Sequence, residues 1–486
     1  MDSPLHPTLE TVTTIRADGS RRFLFPADVR GPLSRARRLS GLGLIAVYLL
    51  LPWIKIGGFP AVFLDVAERR FHLFGLTLAF QDLWLLFFGI TGLGFTLFFL
   101  TALFGRLWCG WACPQTVFLD HVFRRIERWI DGDALARRAL EEAPWSANKI
   151  GRRILKHTLY LACAAGVVHL FLAYFVSLPK LWAMMGQAPG AHWGSFVFVG
   201  AATGALYFNF AWFREQLCIV LCPYGRLQSV LVDEHSLIIG YDPGRGEPRA
   251  TAGEAKRLAE QMPPQRSGDC VACNRCVQVC PTGIDIRNGL QLECIGCAAC
   301  IDACNTVMTR VGRATGLIRY DSLAGLAGRP TRWIRPRTGL YALLLLAGAS
   351  VGAWALSTLH PANFGITRMT GSPYFVDRDF VRNQFLVRIV NKQAGTAHFT
   401  VRIGPTPTGL VELGHNGDVE LGGQAEGIEP LILEVPRSAY RGPFPFTVIL
   451  EGRGKKYQLK KTVEFLGPDQ RLLREEDEER KKESHD

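Results

Sequence analysis

Five long, nearly uncharged stretches interrupt an otherwise mixed sequence, at residues 39–54, 83–104, 158–178, 195–213 and 339–357. At 1.5 Å per helical residue most of them can cross a hydrocarbon layer about 30 Å thick, so the pattern predicts five transmembrane helices. The first is the shortest, with 16 residues before Lys55, and needs interfacial help from Trp53 or a continuation through Ile56. It starts near residue 40, behind a basic segment with no small-residue cleavage pattern, and therefore reads as an uncleaved span. Between the first two spans, the alternation from Phe71 to Phe80 predicts a short hairpin at the membrane surface. After the fifth span the period changes from helical to two. Alternating, β-branched and aromatic runs at Asn383 to Val390, His398 to Ile403, Leu431 to Val435, Phe444 to Leu450 and Tyr457 to Phe465 predict an immunoglobulin-like β-sandwich over 370–466.

Charge orients the spans. The segments between them carry 7, 3, 10, 1 and 16 Lys and Arg residues in 1–39, 55–82, 105–157, 179–194 and 214–338. Cytoplasmic loops retain positive charge, so the N-terminus and the segment before the fifth span are expected inside and the C-terminal domain outside. The net charge of +12 follows from those loops beside an anionic membrane surface and does not call for nucleic acid. Cysteine placement selects the same orientation. None of the 13 cysteines lies in an outward loop or after Cys304, and a cytosolic face keeps thiols reduced.

Eight of those cysteines form two runs, Cys270-x2-Cys273-x2-Cys276-x3-Cys280-Pro281 and Cys294-x2-Cys297-x2-Cys300-x3-Cys304. This is the spacing of a bacterial two-cluster ferredoxin, in which the fourth cysteine of each run serves the other cluster. One 4Fe-4S centre is thus expected on Cys270, Cys273, Cys276 and Cys304, and the other on Cys294, Cys297, Cys300 and Cys280. Zinc sites with four cysteines usually separate two C-x2-C knuckles by a longer loop. The second run lacks the proline and has Asn305 instead, so the turn leaving it is expected to differ.

A pseudo-repeat marks the membrane part. Trp108-Cys109-Gly110-Trp111-Ala112-Cys113-Pro114 follows the second span and Leu217-Cys218-Ile219-Val220-Leu221-Cys222-Pro223 the fourth. Two thiols at i and i+4 share a helical face, and four at the inward ends of two helices could hold a soft ion such as copper(I). The plainer reading is small hydrophobes packed between helices, which is also the reading of the lone Cys163. His169, inside the third span, is a candidate functional group or a polar-bonded one. His121 and His235 follow the two motifs and sit in charged runs that read as solvated faces.

The segments Gly105 to Val117 and Arg214 to Gln228, flanking five spans with a two-cluster ferredoxin and an outward β-domain, resemble the CcoG/FixG/RdxA family of accessory proteins for the C-type haem-copper oxidase. That resemblance implies a cupric reductase that reduces copper(II) to copper(I) for oxidase assembly, with Cys109, Cys113, Cys218 and Cys222 as the copper site. Two 4Fe-4S clusters would be its cofactors and copper its transiently bound substrate. The layout it completes is a multidomain membrane protein of the bacterial inner membrane. A cytoplasmic tail at 1–38 precedes four transmembrane helices with both C-x3-C-P motifs at 39–241. A linker, 242–268, and an α+β ferredoxin-like insert fill 242–338. The fifth helix of the bundle at 339–357, the periplasmic sandwich at 370–466 and a charged tail at 469–486 complete the chain. Expected partners are the lipid bilayer, the oxidase assembly machinery, copper carriers and an electron donor the sequence does not identify, with a second copy of the chain as a further candidate. Two other readings stay open. One is a quinol- or ferredoxin-linked electron conduit of the NapH/NosR kind, and the other an assembly scaffold without enzymatic activity.

Overall fold

The computed structural model describes residue 14 and residues 21–476, apart from 22, 80–81, 83, 250–267, 359, 394, 406–408, 414–416, 453–457 and 474. Most of the expected linker, nearly all of the first 20 residues and the end of the charged tail lie outside the described residues. The chain divides into two units. One comprises Met1–Lys55, Pro60–Val66 and Trp84–Ala353, and the other Ile56–Phe59, Ala67–Leu83 and Trp354–Asp486.

Among the described residues, four helices are long and apolar enough to cross a membrane: Trp84–Phe104, Ala147–Val176 and Pro189–Phe213 in the first unit, and Pro336–Ser357, whose last four residues fall in the second. They are apolar around most of their circumference, as lipid-facing helices are, with Phe87, Ile90 and Leu93 of the first left exposed. The expected first span is the exception. Its helix is Pro32–Leu50, starting earlier than expected and spending its first two turns on Arg35, Arg37 and Arg38. The apolar remainder is about 18 Å long at the helical rise. Instead of continuing through Ile56, the chain turns at Leu51 and enters the short strand Lys55–Ile56. The third span also begins earlier than its apolar run, capped by Ser146, whose side chain accepts from the Lys149 N–H. Its basic first turns are anchored by Lys156, 2.6 Å from Asp131 with both side chains buried.

The insert carrying the cysteine runs is closed by two antiparallel strands, Ile238–Tyr241 and Ile318–Asp321. Between them lie the short helix Arg275–Gln278 and the longer Ala299–Arg310. Ile239, Ile286, Ile301, Met308, Leu317 and Ile318 pack around Cys270, Cys276 and Cys304.

The second unit is a two-sheet sandwich. One sheet runs in the order Val411–Leu413, Glu426–Pro436, Phe380–Asn391, Ala362–Arg368, with Phe375–Val376 also paired to Phe380–Asn391. The other runs Asp418–Leu421, Ala397–Ile403, Phe444–Gly452, Gln458–Phe465. Along Phe380–Asn391 every second side chain is buried, including Val381, Phe385, Val387 and Ile389, which is the period expected of a strand with one face on a core. The sandwich starts ahead of the expected boundary, because Ala362–Arg368 is one of its strands. Leu473, in what was expected to be a solvated tail, is buried against this core. The expected hairpin forms from Arg70–Leu73 and Leu76–Ala79, with Phe74 and Gly75 both at positive φ in its tight turn. It belongs to the same unit as the sandwich, where Thr77 accepts from Gln424 and Asp82 pairs with Lys392 at 2.6 Å.

Candidate iron-sulfur and thiol centres

The two cysteine runs share their opening turns. Ala272 and Asn274 in the first and Gly296 and Ala298 in the second hold positive φ at equivalent positions, two residues after the first cysteine and one after the second. A non-glycine residue in that region costs about 1 kcal/mol or more, so three such residues mark a loop whose shape is dictated by what its thiols surround.

Each thiol feels the charges of its neighbours. Burial raises Cys304 to about 12, and the further contributions come from Cys276, Cys273 and Cys270. Burial likewise raises Cys294 to about 12, with Cys297 and Cys280 adding to it. Cys300, pushed up by burial, feels Cys297, Cys294 and Cys280 before Cys276. Thiols this reluctant to ionise in free form become thiolates against a metal. Five cysteines, Cys276, Cys280, Cys294, Cys297 and Cys300, line one cavity together with Ile239, Ile284 and Ile295, thiols and an apolar wall that fit a 4Fe-4S group. Cys300 and Cys304 stand one turn apart on Ala299–Arg310, so this helix links the two centres. That continuity explains Asn305: the helix runs on through it, and its side chain accepts from the Gly316 N–H at 2.9 Å.

The C-x3-C-P motifs repeat in structure as well as in sequence. In each, the second cysteine donates its N–H five residues back, Cys113 to Trp108 and Cys222 to Leu217, at 2.9 and 2.8 Å. Each second cysteine is extended, and the following proline opens a new helix, Pro114–Phe118 or Pro223–Leu231. The proline therefore starts a new helix, using the first helical position that needs no N–H.

The four thiols lie within electrostatic reach of one another. Cys218 is raised to about 12 by burial and then by Cys113, Cys109 and Cys222. Cys109 is raised to about 11 by burial and Cys113, with Cys222 also contributing, while its thiol donates to Gln228 Oε1 at 3.3 Å. Cys113 is raised by burial, against which the Thr116 and Gln115 N–H groups favour its thiolate.

This thiol group adjoins the second cluster site. Cys109 packs against the buried cluster of Val279, Ile295, Cys297, Ala299 and Ala303. A methyl group on Gly110 would lie 2.6 Å from the Ile295 carbonyl oxygen and 2.9 Å from both N and Cα of Cys297. Trp111 Nε1 donates to Tyr320 Oη at 3.1 Å, and Tyr320 donates to the Gly296 carbonyl at 2.7 Å. Among the described residues no group of three or more His, Cys, Asp or Glu side chains is arranged to hold a single metal ion.

Charged residues absent from the motif reading hold these segments. Arg214 is almost completely buried, 3.0 Å from Glu127, and Arg124 bridges Asp120 and Glu215. Asp120 lies between Arg124 and Arg37, which hold its carboxyl well below the usual range against the effect of burial. The segment of Asp120 and His121 is consequently no solvated face. His121 packs on Gly41, and burial lowers it to about 4. His235 faces Glu234 and, like His121, is partly buried. His169 bonds through Nδ1 to the Ala165 carbonyl one turn back, at 2.7 Å. Cys163 packs beside the Phe123, Tyr160 and Phe210 cluster.

Residues 213–323 match a 4Fe-4S dicluster domain, residues 85–133 a 4Fe-4S binding domain, and residues 352–468 the IG-like fold at the C-terminus of FixG. Nitrogen fixation protein FixG of Rhizobium meliloti is 40% identical over 65% of this chain, and the match spans 61% of FixG. Protein RdxA of Cereibacter sphaeroides is 34% identical over 86% of this chain and 90% of its own length. Protein RdxB of the same organism is 34% identical over 79% of the chain and 82% of its own. With a dicluster domain, apolar helices, a matching C-terminal domain and RdxA 34% identical over most of both chains, this chain belongs to the FixG/RdxA family of membrane iron-sulfur electron-transfer proteins.

Proposed function

We infer that this protein uses electrons from its 4Fe-4S centres to reduce copper(II) to copper(I) at the four C-x3-C-P thiols, for copper-centre assembly in a C-type haem-copper oxidase. When bound, the clusters supply single electrons, and one electron per ion balances the reduction. The observation that carries this reading is the close approach of Gly110 to Cys297, which seats the first C-x3-C-P motif directly on a cluster-binding loop. Thiolates prefer copper(I) over copper(II), so Cys109, Cys113, Cys218 and Cys222 would favour the reduced product. Burial keeps Cys109 and Cys218 protonated at neutral pH, and copper(I) would displace those protons on binding. Gln228 orients the Cys109 thiol, and Tyr224, which donates to or accepts from Thr101 at 2.7 Å, closes the group toward the membrane helix.

We also infer five crossings, with the N-terminus and cluster domain cytoplasmic and the sandwich periplasmic. Residues ahead of Pro32 belong with the cluster domain: the Ala27 N–H donates to Gln278 O at 2.8 Å, and Arg128 pairs with Asp28 at 2.6 Å. The 67–83 hairpin belongs with the sandwich. Four apolar helices separate that hairpin from the sandwich, an even number, which leaves Pro32–Leu50 to make the remaining crossing despite its short apolar stretch.

A second reading, a membrane electron conduit of the NapH/NosR kind, draws on a different observation. An apolar cavity lined by Phe104, Leu107, Leu237 and Leu292 opens beside Cys294 and Tyr320, and a quinone ring would suit such walls. Anaerobic purification followed by metal analysis and a copper(II) reduction assay separates the two, since the conduit needs no copper.

A further inference from the structure

A cavity of about 820 Å³ lies between the start of helix Pro32–Leu50, the segment 120–137 and the cluster loops. Its lining includes eight arginines, two aspartates and no lysine. Val279, Pro281, Cys297 and Ala299 form one wall, so the cavity touches the chain that bears the second cluster site.

Half of the arginines have carboxylate partners. Arg37 and Arg124 share Asp120, Arg128 takes Asp28, and Arg137 lies 3.5 Å from Glu127. The other four, Arg30, Arg35, Arg38 and Arg125, form no ion pair among the described residues. Arg125 is lowered by burial and by Arg38, with Asp28 and Asp120 opposing the shift. Asp302, the nearby carboxylate on Ala299–Arg310, is engaged by the Ser34 N–H at 2.7 Å. Two donors at the wall are also orphaned, the buried Ser34 hydroxyl and the buried Arg124 Nε, and leaving such groups without an acceptor costs about 1–3 kcal/mol each.

We propose that this cavity is a binding site for a phosphate-bearing anion. General attraction to a negative membrane surface needs only positive charge, and lysine serves as well as arginine. Eight arginines and no lysine match the planar forks that take two oxygens of one phosphate group, and the orphaned hydroxyl supplies a further donor. The volume lies within the usual range for small-molecule sites. The phosphate belongs either to an anionic lipid headgroup or to a soluble organic phosphate. In either case its charge comes to rest against the chain around Cys297. The site does not depend on copper being the electron acceptor.

The test is calorimetric titration of inorganic pyrophosphate into the full-length, cluster-loaded protein under anaerobic conditions. The parent should bind at about one per chain. Arg38→Gln with Arg125→Gln should weaken binding at least tenfold while iron content stays at the parental level. Arg38→Lys with Arg125→Lys, which keeps the charge and loses the fork, should fall between. Repeating the titration in nanodiscs of phosphatidylcholine and of phosphatidylglycerol identifies the source. Pyrophosphate binding lost only in phosphatidylglycerol assigns the site to a lipid headgroup, and binding retained in both assigns it to a soluble phosphate. No saturable binding by the parent in detergent or phosphatidylcholine, or equal affinity in the Gln double variant, overturns the proposal.

Discussion

Replacing Gly110 with Ala sets two opposite effects against each other. Gly110 lies inside the short helix Leu107–Trp111 and its φ is unexceptional, so helix propensity alone favours Ala by about 1 kcal/mol. The added methyl, however, would meet three backbone atoms at 2.6 to 2.9 Å, the Ile295 carbonyl and the N and Cα of Cys297. No flexible side chain can yield there. Either the helix lifts off the Cys294–Cys297 loop or the loop distorts, and overpacking of this kind typically costs about 1–3 kcal/mol. The clash should win, lowering the thermal midpoint, changing the electron paramagnetic resonance spectrum of the cluster bound by Cys280, Cys294, Cys297 and Cys300, and slowing copper(II) reduction with the other cluster unchanged. Gly151→Ala, in the exposed start of helix Ala147–Val176 with open space around it, is the control and should be neutral or slightly stabilising. A Gly110→Ala protein with parental stability, spectrum and reduction rate would refute the claim that the first C-x3-C-P motif rests on the cluster loop.

The interleaved ligands give a crossed pattern: Cys280→Ser should damage the centre of the second run and Cys304→Ser that of the first, each lowering iron from about eight to about four per chain, as magnetic resonance and iron assay will show. About twelve iron atoms in the parent would instead indicate a third cluster on the C-x3-C-P thiols, displacing copper from them. A reporter fused after Asp486 should be active only outside the cytoplasm, and cytoplasmic activity would mean that Pro32–Leu50 does not cross. His121 is held near 4, below its unfolded value of about 6.5. Its contribution is present above the unfolded value and lost as pH falls through the folded one, so thermal stability should decline between about pH 6.5 and 4, and His121→Asn should flatten that decline.

Where the physics was local, the sequence was a sufficient guide. The cysteine spacing pointed to iron-sulfur clusters, as the dicluster-domain match does, because a thiol's reach from a loop is set within a few residues. Alternation found the long strands such as Phe380–Asn391, while Val411–Leu413 and Asp418–Leu421 are too short to carry a period. Convergence of Cys109 and Cys113 with Cys218 and Cys222 depends on packing between segments about a hundred residues apart, which spacing does not encode. The best available signal was Gly110, a helix-weakening residue placed between a cysteine and a tryptophan. Charged residues misled for the same reason. Asp120 and Arg214 look like surface groups until their partners arrive from distant segments and let them be buried. The early start of helix Pro32–Leu50 was not legible because Arg35, Arg37 and Arg38 lie ahead of its apolar run.

The most direct test of the central claim is anaerobic copper(II) reduction by the purified, cluster-loaded protein, read as copper(I) formed per reduced cluster, for the parent and for the Cys109→Ser/Cys113→Ser and Cys218→Ser/Cys222→Ser variants. The parent should produce copper(I), and each double variant should retain its cluster spectrum while losing most of the reduction and copper(I) binding, because a hydroxyl is a poor ligand for a soft ion. Double variants that reduce and bind copper as well as the parent would show that these cysteines only pack between helices, and copper reduction at the thiols would have to be abandoned.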